Sequence, residues 1–463
     1  MPSVVIPFVG PAYKARVSNL NAQECINWYV RGGGPEAKSP TVLYPTPGLT
    51  ALVTLAAASK VRGMMADGSI IYAVCGTKLY TITTGGVATD RGTIPGSSPV
   101  SFAENGTQVF MANGTSTGYL YTKSTTTLSS VGGSYPGADQ VVFLDGYFVV
   151  FQSATQKIYV STLYDGATWD SLDFASAEIN PDNVVGIAVD QRELMICGKR
   201  STEFWYNTGG ADYPLGRISG GITEYGCIAR WSIATIADAK FWLTNYKTVV
   251  MAQQWQAKNI GTDALHEAIA EYSVVYDAEG FTYGQDGHYF YALTFPTEGV
   301  TWVFDLTTQA WHQRKSPSIG RFRASFACDL DGVTYVGDYT NGKIYTMSPT
   351  VYTEDTATVT RTRTTQVIAN KNDRITMNDL IVDFEEGTDP SGTAVASLSW
   401  SDDGGHTYNT PIDQSLGVSG AYSQRVEWRG LAQFRERIFK LEVVAPIKIH
   451  VLGAYADVDG ELE

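Results

Sequence analysis

Histidine is the residue type in this sequence best suited to metal binding or proton transfer, but the spacing of the histidines supports neither. His266-Glu267 begins like the zinc pattern His-Glu-x-x-His, in which two histidines one helical turn apart hold the metal and the glutamate is the base. Residue 270 is Ala, so the second ligand is missing. We expect the remaining histidines to be isolated bystanders: His288, His312, His406 and His450.

Two Asp-x-Asp-Gly segments look like the start of a calcium-binding loop. They are Asp329-x-Asp331-Gly332 and Asp457-x-Asp459-Gly460. A calcium loop of this type needs a bidentate Glu at its twelfth position, and neither segment continues to one. The sequence therefore predicts turns at both places. We expect no metal site, no cofactor and no catalytic residue set.

The sharpest local motif is Ser401-Asp402-Asp403-Gly404-Gly405-His406-Thr407-Tyr408. It resembles the Asp box of sialidases and related propellers, S-x-D-x-G-x-T-[WY]. In that hairpin the Asp accepts turn N–H groups, the Gly allows a positive φ and the aromatic ring packs beneath. Only a structural role follows from the resemblance, and we expect a buried setting for the turn. The matching residues are Ser401, Asp403, Gly405, Thr407 and Tyr408.

A carbohydrate-binding or glycosidase-like protein is the competing interpretation. It is favoured by this motif and by an aromatic content of 12%. A sialidase also needs an arginine cluster for a carboxylate and a Tyr–Glu nucleophile pair. The nearest arginine pairs are Arg321 with Arg323 and Arg435 with Arg437, and alternating Arg on a strand is typical of a solvated face. We therefore predict that the protein is not an enzyme.

Charge, cysteines and hydropathy limit the compartment and the partners. The net charge is −14, and because neutralised phosphates supply most of the affinity for DNA, we expect no tight grip on a duplex. Residues 1–8 lack a basic region typical of a secretory signal, and no apolar run reaches the length of about 18 residues that a spanning helix needs. Scattered cysteines, odd in number, predict buried thiols in a reducing cytosol: Cys25, Cys75, Cys197, Cys227 and Cys328.

Composition and an internal repeat predict the fold class. The chain has 46 Gly and 27 Tyr but only 17% charged residues, which favours short strands and tight turns. A unit of three apolar strands recurs seven times between residues 61 and 347, at a spacing of about 38 to 52 residues that is typical of propeller blades. Several units share a hairpin turn signal: Asp67-Gly68, Asn105-Gly106, Asp145-Gly146, Asp286-Gly287 and Asp331-Gly332.

We therefore predict an all-β protein with a β-propeller of six or seven blades. A good N-cap and helix formers predict one short helix near residues 262–271. After Thr353 a run of Thr and Arg precedes alternating segments such as Val395 to Trp400, which predicts a β-sandwich. The expected domains are an N-terminal arm over 1–54 that packs on one of the others, the propeller over 55–350 and the ring-forming sandwich over 351–463.

Three stretches carry a resemblance over nearly the whole chain. The first is Asn21-Ala22-Gln23-Glu24-Cys25-Ile26-Asn27-Trp28-Tyr29-Val30 with Tyr44-Pro45-Thr46-Pro47-Gly48-Leu49. The second is Asn180-Pro181-Asp182-Asn183-Val184-Val185-Gly186-Ile187 with Ser201-Thr202-Glu203-Phe204-Trp205-Tyr206-Asn207-Thr208-Gly209. The third is Arg425-Val426-Glu427-Trp428-Arg429-Gly430-Leu431 with Phe439-Lys440-Leu441-Glu442-Val443. In their joint order they resemble the packaged-DNA stabilisation, or tail nozzle (hub), proteins of short-tailed bacteriophages.

The resemblance implies a structural protein of the virion tail, made in the host bacterial cytoplasm. Its expected partners are five further copies of itself in a hexameric ring, the head-to-tail adaptor ring, a tailspike or fibre, and a plug or needle. Genomic double-stranded DNA would pass through without tight binding. The family transfers no catalytic residues. Within the ring we expect the sandwich to lie near the axis and the propeller outside it.

Overall fold

The computed structural model describes residues 3–10, 23–33, 40–177, 182–371, 373–385, 387–422 and 424–459. Strands dominate this part of the chain, with one α-helix and one short 3-10 helix. The predicted all-β class is confirmed. Parts of the motifs quoted above lie outside the described residues: Asn21, Ala22, Asn180, Pro181 and Gly460.

Five short strands come first in the described chain. They are β1 (Ser3–Val5), β2 (Cys25–Ile26), β3 (Trp28–Gly32), β4 (Thr41–Pro45) and β5 (Gly48–Thr54).

Six sets of four consecutive antiparallel strands then follow one another, and each set forms a propeller blade; the first five are separate sheets, and the sixth is continuous with a sheet of the sandwich. Blades one to three are β6 (Val61–Asp67), β7 (Ile70–Cys75), β8 (Lys78–Thr83), β9 (Ala88–Thr93); β10 (Ser101–Glu104), β11 (Gln108–Ala112), β12 (Gly118–Thr122), β13 (Thr127–Val131); and β14 (Val141–Leu144), β15 (Tyr147–Phe151), β16 (Lys157–Thr162), β17 (Asp165–Ser176). Blades four to six are β18 (Val184–Asp190), β19 (Glu193–Gly198), β20 (Thr202–Asn207), β21 (Leu215–Thr223); β22 (Ala234–Ile236), β23 (Ala239–Leu243), β24 (Val249–Gln253), β25 (Gln256–Asn259); and β26 (Glu279–Gln285), β27 (His288–Phe295), β28 (Val300–Asp305), β29 (Ala310–Gln313).

The seventh blade is completed by a strand from the start of the chain. It contains β30 (Ala324–Leu330), β31 (Val333–Asp338) and β32 (Lys343–Ser348), and β5 pairs with β32 as its fourth strand. The innermost strands of neighbouring blades contact one another, and β30 contacts β6, so the ring is closed. The blade number, which the sequence leaves at six or seven, is seven in the described residues when the blade completed by β5 is counted.

The hairpins form where the turn residues tolerate a positive φ. Asp145 and Gly146 have φ values of 48° and 98°, as expected for the two-residue turns predicted at Asp-Gly pairs. Apolar side chains of adjacent blades then share each core; for example, Val61 and Ile71 of blade one pack with Tyr335 of blade seven. A four-stranded sheet cannot bury both faces alone, so radial stacking supplies the stability.

The predicted helix is confirmed as α1 (Asp263–Glu271), in the long connection between blades five and six. The Thr262 hydroxyl accepts a hydrogen bond of 3.3 Å from the Leu265 N–H and caps the helix. Leu265 and Ile269 pack into the core that blades five and six share. A 3-10 helix, Arg230–Ser232, precedes blade five.

Two short strands between the domains, β33 (Thr353–Glu354) and β34 (Ala357–Thr358), extend the sheet of blade seven beyond β5. The remaining strands build the sandwich. They are β35 (Thr360–Thr364), β36 (Ile368–Ala369), β37 (Ile375–Phe384), β38 (Val395–Ser401), β39 (Ile412–Ser415), β40 (Val426–Arg429), β41 (Gln433–Phe434), β42 (Glu436–Val444) and β43 (Val451–Asp459). One sheet has the order β3-β4-β43-β37-β40, with β1 on β43 and β41 on β37. The other has the order β2-β35-β42-β38-β39, with β36 on β42.

The N-terminal residues are built into both domains. Phe8, Trp28 and Leu43 are buried in the sandwich core with Leu380 and Leu441. Strand β5 instead belongs to blade seven, so the propeller includes residues before the boundary that the sequence places at residue 55. The physical reason is that the last blade has an open edge until a strand from elsewhere in the chain pairs with it.

Candidate functional site

The Asp-box residues form a hydrogen-bonded loop between β38 and β39. Oδ1 of Asp403 accepts hydrogen bonds from the N–H groups of His406 (3.0 Å) and Thr407 (2.9 Å), and Oδ2 accepts one from the Thr407 hydroxyl (2.6 Å). The Ser401 hydroxyl donates to Asp403 at 2.6 Å and accepts from the Gly405 N–H at 2.9 Å. Gly405 has a φ of 92°, a conformation that favours glycine. Both carboxylate oxygens are thus used inside the turn.

The setting of this turn differs from the sequence-based expectation. Asp403 is exposed rather than buried, and Tyr408 does not pack fully beneath the loop, because its side chain is 38% exposed. The Lys440 ammonium lies 5.7 Å from the centre of the Tyr408 ring. Hydrogen bonds from the side chains of Ser401 and Thr407 hold the pKa of Asp403 well below its ordinary value.

The two arginine pairs singled out in the sequence are structural. Arg321 and Arg323 are buried, and the interpretation of a solvated face is wrong for them. Arg321 lies 3.5 Å from Glu279, and Arg323 donates a 3.1 Å hydrogen bond to the Tyr345 hydroxyl. The reason is that both follow blade six at the point where it meets blade seven, so carboxylates of two blades surround them.

Arg437 is also held in place by neighbouring side chains. Its guanidinium bonds both oxygens of Asp402, at 2.6 and 2.7 Å, and its carbon lies 4.2 Å above the ring of Phe434. Arg435, two residues earlier, lines a pocket of about 580 Å³ on the sandwich. The structure does not bring these arginines together with Arg321 and Arg323.

Histidines and cysteines do not assemble into a reactive or metal-binding group in the described chain. Within it, no three His, Cys, Asp or Glu residues are placed to hold a metal ion. His288 pairs with Asp305 at 2.7 Å, and burial lowers the pKa of His312 to about 3. The cysteines carry no disulfide; four of the five are buried, and burial raises the pKa of Cys227 to about 12. A thiol in that state is a poor nucleophile.

A buried polar junction joins the two domains, and no sequence motif indicates it. The Asn27 side-chain amide donates to the carbonyl oxygens of Lys315 (2.9 Å) and Thr360 (2.7 Å), bridging the end of blade six and the first sandwich strand after the propeller. Arg361 donates to the Ala445 carbonyl at 3.0 Å, and burial lowers its pKa to about 10. Arg363 donates to the Phe8 carbonyl at 2.6 Å.

Strand pairing continues across this junction. Ile26 of β2 pairs with Gln313 of β29 in blade six, and Glu354 of β33 pairs with Leu49 of β5 in blade seven. Strand β2 therefore attaches the sandwich to the outer side of blade six by backbone pairing, and the segment that leads into the sandwich pairs with the outer side of blade seven. Such an attachment holds the domains at one relative orientation.

The central channel of the propeller is narrowed by aromatic rings. Trp231, just before blade five, and Phe326, on the innermost strand of blade seven, have ring centres 6.3 Å apart. Blade six separates their blades, so the contact crosses part of the channel.

An open cleft of about 690 Å³ lies across the outer hairpins of blades three to five. Trp255 and Tyr206 line it with exposed fractions of 38% and 45%. The indole N–H of Trp255 donates a 3.1 Å hydrogen bond to Glu193, which fixes the ring. Arg192 pairs with Asp145 at 2.8 Å in the same cleft.

No helix in the described residues is long and apolar enough to cross a membrane.

Three of the solved structures that match this chain resemble it only distantly. BamB from Moraxella catarrhalis is 12% identical, with a TM-score of 0.41 over 75% of this chain and 96% of that one. The computationally designed protein Ika8 is 10% identical, with a TM-score of 0.38 over 64% and 99%. A chain of the mitotic checkpoint complex is 10% identical, with a TM-score of 0.42 over 68% and 96%. Comparison with curated proteins finds no match.

Comparison with protein families is decisive. Residues 34–352 match the family described as bacteriophage P22 Gp10, beta-propeller, and residues 360–459 match the family described as bacteriophage P22 Gp10, beta-sandwich. The two matches follow in order, and the boundary between them falls where the last blade ends and the first sandwich strand after the propeller begins. The chain therefore belongs to the P22 Gp10 family, the tail nozzle or packaged-DNA stabilisation proteins of short-tailed bacteriophages, and is a structural protein of a phage tail.

Proposed function

We propose that six copies of this protein form a ring at the tail nozzle, which closes the tail tube after packaging and retains the DNA. The observation that carries the proposal is the ordered match of both family domains over most of the chain. In the proposed virion the ring lies below the head-to-tail adaptor ring, holds a tailspike or fibre, and receives a plug or needle. The protein is made in the host cytoplasm and ends in the virion tail.

Two structural features support a ring with a tube between subunits. The contact between Trp231 and Phe326 reaches across part of the propeller channel, which favours a path for DNA outside each propeller. Strand pairing joins the sandwich and its leading segment to blades six and seven, so that the subunit assembles as a stiff unit. With 47 acidic against 33 basic residues, the protein lets the duplex slide rather than gripping it.

A structural role also accounts for the polar residues that resemble catalytic groups. The Asp403 carboxylate is used within its own turn, and Asp402 is paired with Arg437. Arg321 and Arg323 serve the joint between blades six and seven. We infer a protein without enzymatic activity.

The test is the mass of the full-length protein, alone and mixed with its adaptor ring, measured by light scattering and by negative-stain microscopy. We expect rings of six subunits, formed alone or on the adaptor. A protein that stays monomeric under both conditions contradicts the proposal. A ring of another size contradicts the subunit number alone.

Carbohydrate binding is the second candidate, and the cleft with Trp255 and Tyr206 favours it. Exposed aromatic rings stack on sugar faces, and the paired Asp145, Arg192 and Glu193 offer donors and acceptors for hydroxyl groups. A glycan array probed with wild type and with Trp255→Ala tests it. A signal that Trp255→Ala abolishes, while Tyr246→Ala on another hairpin keeps it, supports a glycan site; no signal with wild type excludes it for the glycans displayed.

A further inference from the structure

We propose that a bulge on blade three of one copy docks into a pocket on the sandwich of the next copy in the ring. The inference rests on the proposed ring and assigns one of its contacts. It names both halves of that contact on this chain.

The bulge interrupts the outermost strand of blade three. Strand β17 has 12 residues, and its pairing with β16 shifts: Trp169 pairs with Ser161, but Phe174 pairs with Tyr159. Residues 170–173 therefore leave the ladder and project from the edge of the blade. We call these four residues the blade-three knob.

Leu172 is the outermost side chain of the knob, with 79% of its surface exposed. The Leu172 N–H donates a 2.9 Å hydrogen bond to Asp170, so the knob has a defined local shape. Leu163 and Tyr164, in the hairpin that leads into β17, are also exposed. Exposed leucines are common singly, but a leucine carried on a bulge of an open edge strand is typical of a contact site.

The knob is acidic. Asp170 and Asp173 flank Leu172, and no Lys or Arg occurs between Lys157 and Arg192 in the sequence. A partner surface for this knob has to offer an apolar depression with a basic rim.

The sandwich offers such a depression where β37 and β42 begin. The pocket of about 580 Å³ is lined by the apolar Ala369 and Phe434, by Gln433, by the basic Lys371, Arg374 and Arg435, and by the acidic Asp402 and Glu436. We call it the sandwich pocket. Because Asp402 is paired with Arg437, the basic side chains at the pocket outnumber the acidic ones. Its base is fixed, because Arg437 stacks on Phe434 and bonds Asp402 with both nitrogens of its fork. The volume accommodates a leucine side chain together with the flanking carboxylates.

The position of the two surfaces requires two copies. The sandwich is joined to blades six and seven, and blade three lies across the seven-bladed ring from that joint. A protein with a protruding group on one side and its receptor on the other associates head to tail, and a closed ring follows when the rotation is right. Charge complementarity between the acidic knob and the basic pocket favours a second copy over an unrelated partner.

This contact has a consequence for the arrangement of domains. Propellers and sandwiches alternate around the ring, since each knob reaches the sandwich of its neighbour. In the arrangement expected from the sequence, with all sandwiches near the axis, the knob stays unoccupied. The two arrangements differ in their response to changes in the knob.

Charge reversal of each half separately provides the main test. Asp170→Lys with Asp173→Lys gives a basic knob, and Lys371→Glu with Arg374→Glu gives an acidic pocket. We expect each double variant to remain folded and to lose the ring in light scattering. An equimolar mixture of the two variants restores it, because knobs and pockets of opposite charge then alternate around a ring with an even number of subunits.

Because two lysines can distort the bulge, a substitution without a charge change provides a second test. Leu172→Ala keeps the Asp170 hydrogen bond and is expected to raise the dissociation constant of the contact about tenfold. Val87→Ala, at an exposed valine on blade one, is the matched control and leaves the ring unchanged. Asp212→Lys with Glu224→Lys, both exposed on blade four and the connection after it, controls for the change in total charge.

The possible outcomes test the knob–pocket contact and the ring independently. A wild-type ring that tolerates Leu172→Ala and both double variants overturns the contact and leaves the ring standing. Equal losses in Leu172→Ala and Val87→Ala also overturn the contact. A wild-type protein that is monomeric even with the adaptor contradicts the proposed function and the contact together.

Discussion

Arg314, which directly follows blade six, donates a 2.8 Å hydrogen bond to the carbonyl oxygen of Pro47, which directly precedes the strand that completes blade seven. The same guanidinium lies 3.4 Å from the Glu354 carboxylate and 3.7 Å above the ring of Phe322. Arg314 thus joins the end of one blade, the closing strand of the next and the first strand after the propeller.

Loss of this arginine is the first prediction. Arg314→Ala leaves the buried Glu354 carboxylate with Arg323 as its remaining salt-bridge partner among the described residues. Removal of one member of a buried ion pair costs about 3–5 kcal/mol of unfolding free energy. Urea unfolding followed by tryptophan fluorescence measures it. Arg192→Ala, at a largely exposed arginine, is the control, and an equal loss there contradicts the role of Arg314.

The Asp-box turn is the subject of the second prediction. Because the pKa of Asp403 is lower in the folded protein than in the unfolded chain, its stabilising effect is present above the unfolded pKa of about 3.9 and is lost as the pH falls through the folded value. Asp403→Asn should therefore lower the melting temperature modestly at pH 5 to 7, and the difference from wild type should shrink in acid. A difference that is independent of pH contradicts this cause.

A second variant at this position distinguishes the turn from a sugar site. Asp403→Ala should leave any glycan-array signal unchanged, because both carboxylate oxygens of Asp403 already accept hydrogen bonds within the loop. Selective loss of a glycan signal at an unchanged melting temperature would support the carbohydrate interpretation instead.

Truncation gives the third prediction. A chain cut after Met347 keeps Phe8, Trp28 and Leu43 but lacks the sandwich strands that bury them, so we expect it to aggregate. The sequence alone suggests the opposite, a soluble monomeric propeller. A fragment of residues 46–358 retains β5 and all blades, and we expect it to be soluble and monomeric in size-exclusion chromatography. A soluble, folded chain ending at Met347 would contradict the shared core.

DNA binding is the fourth prediction. With a net charge of −14, the isolated protein should bind duplex DNA no more tightly than about micromolar at physiological salt, where screening acts over about 8–10 Å. Fluorescence anisotropy with a labelled duplex measures the affinity. Nanomolar binding that weakens steeply with salt would make the protein a DNA clamp.

The blades could be predicted because their signals are local. Asp145-Gly146, Asp286-Gly287 and Asp331-Gly332 all adopt the two positive φ values that such hairpin turns need. Blades four and five form the same turn at Gln191-Arg192 and Ala237-Asp238, with positive φ at all four residues and no glycine. There the apolar strands, rather than the turn residues, indicate the hairpin.

The junction could not be predicted because it depends on pairing between distant segments. Asn27 bonds Lys315 and Thr360, and Arg363 bonds Phe8, across more than 280 residues in each case. In the sequence, Arg361 and Arg363 belong to a run of Thr and Arg residues that indicates only a boundary between domains. Their burial follows from the N-terminal strands that cover them, and no local pattern encodes it.

The closing strand β5 also sets the order in which the protein is completed during synthesis. Blade seven needs a strand that left the ribosome almost 300 residues earlier, and the sandwich sheet needs β43 at the other end to hold β1 and β4. Contacts of such long range form slowly. In the nascent chain, the strands β1 and β4 of the sandwich sheet therefore keep an open edge until β43 has been synthesised. We expect the surface that assembles into the ring to form only after that step.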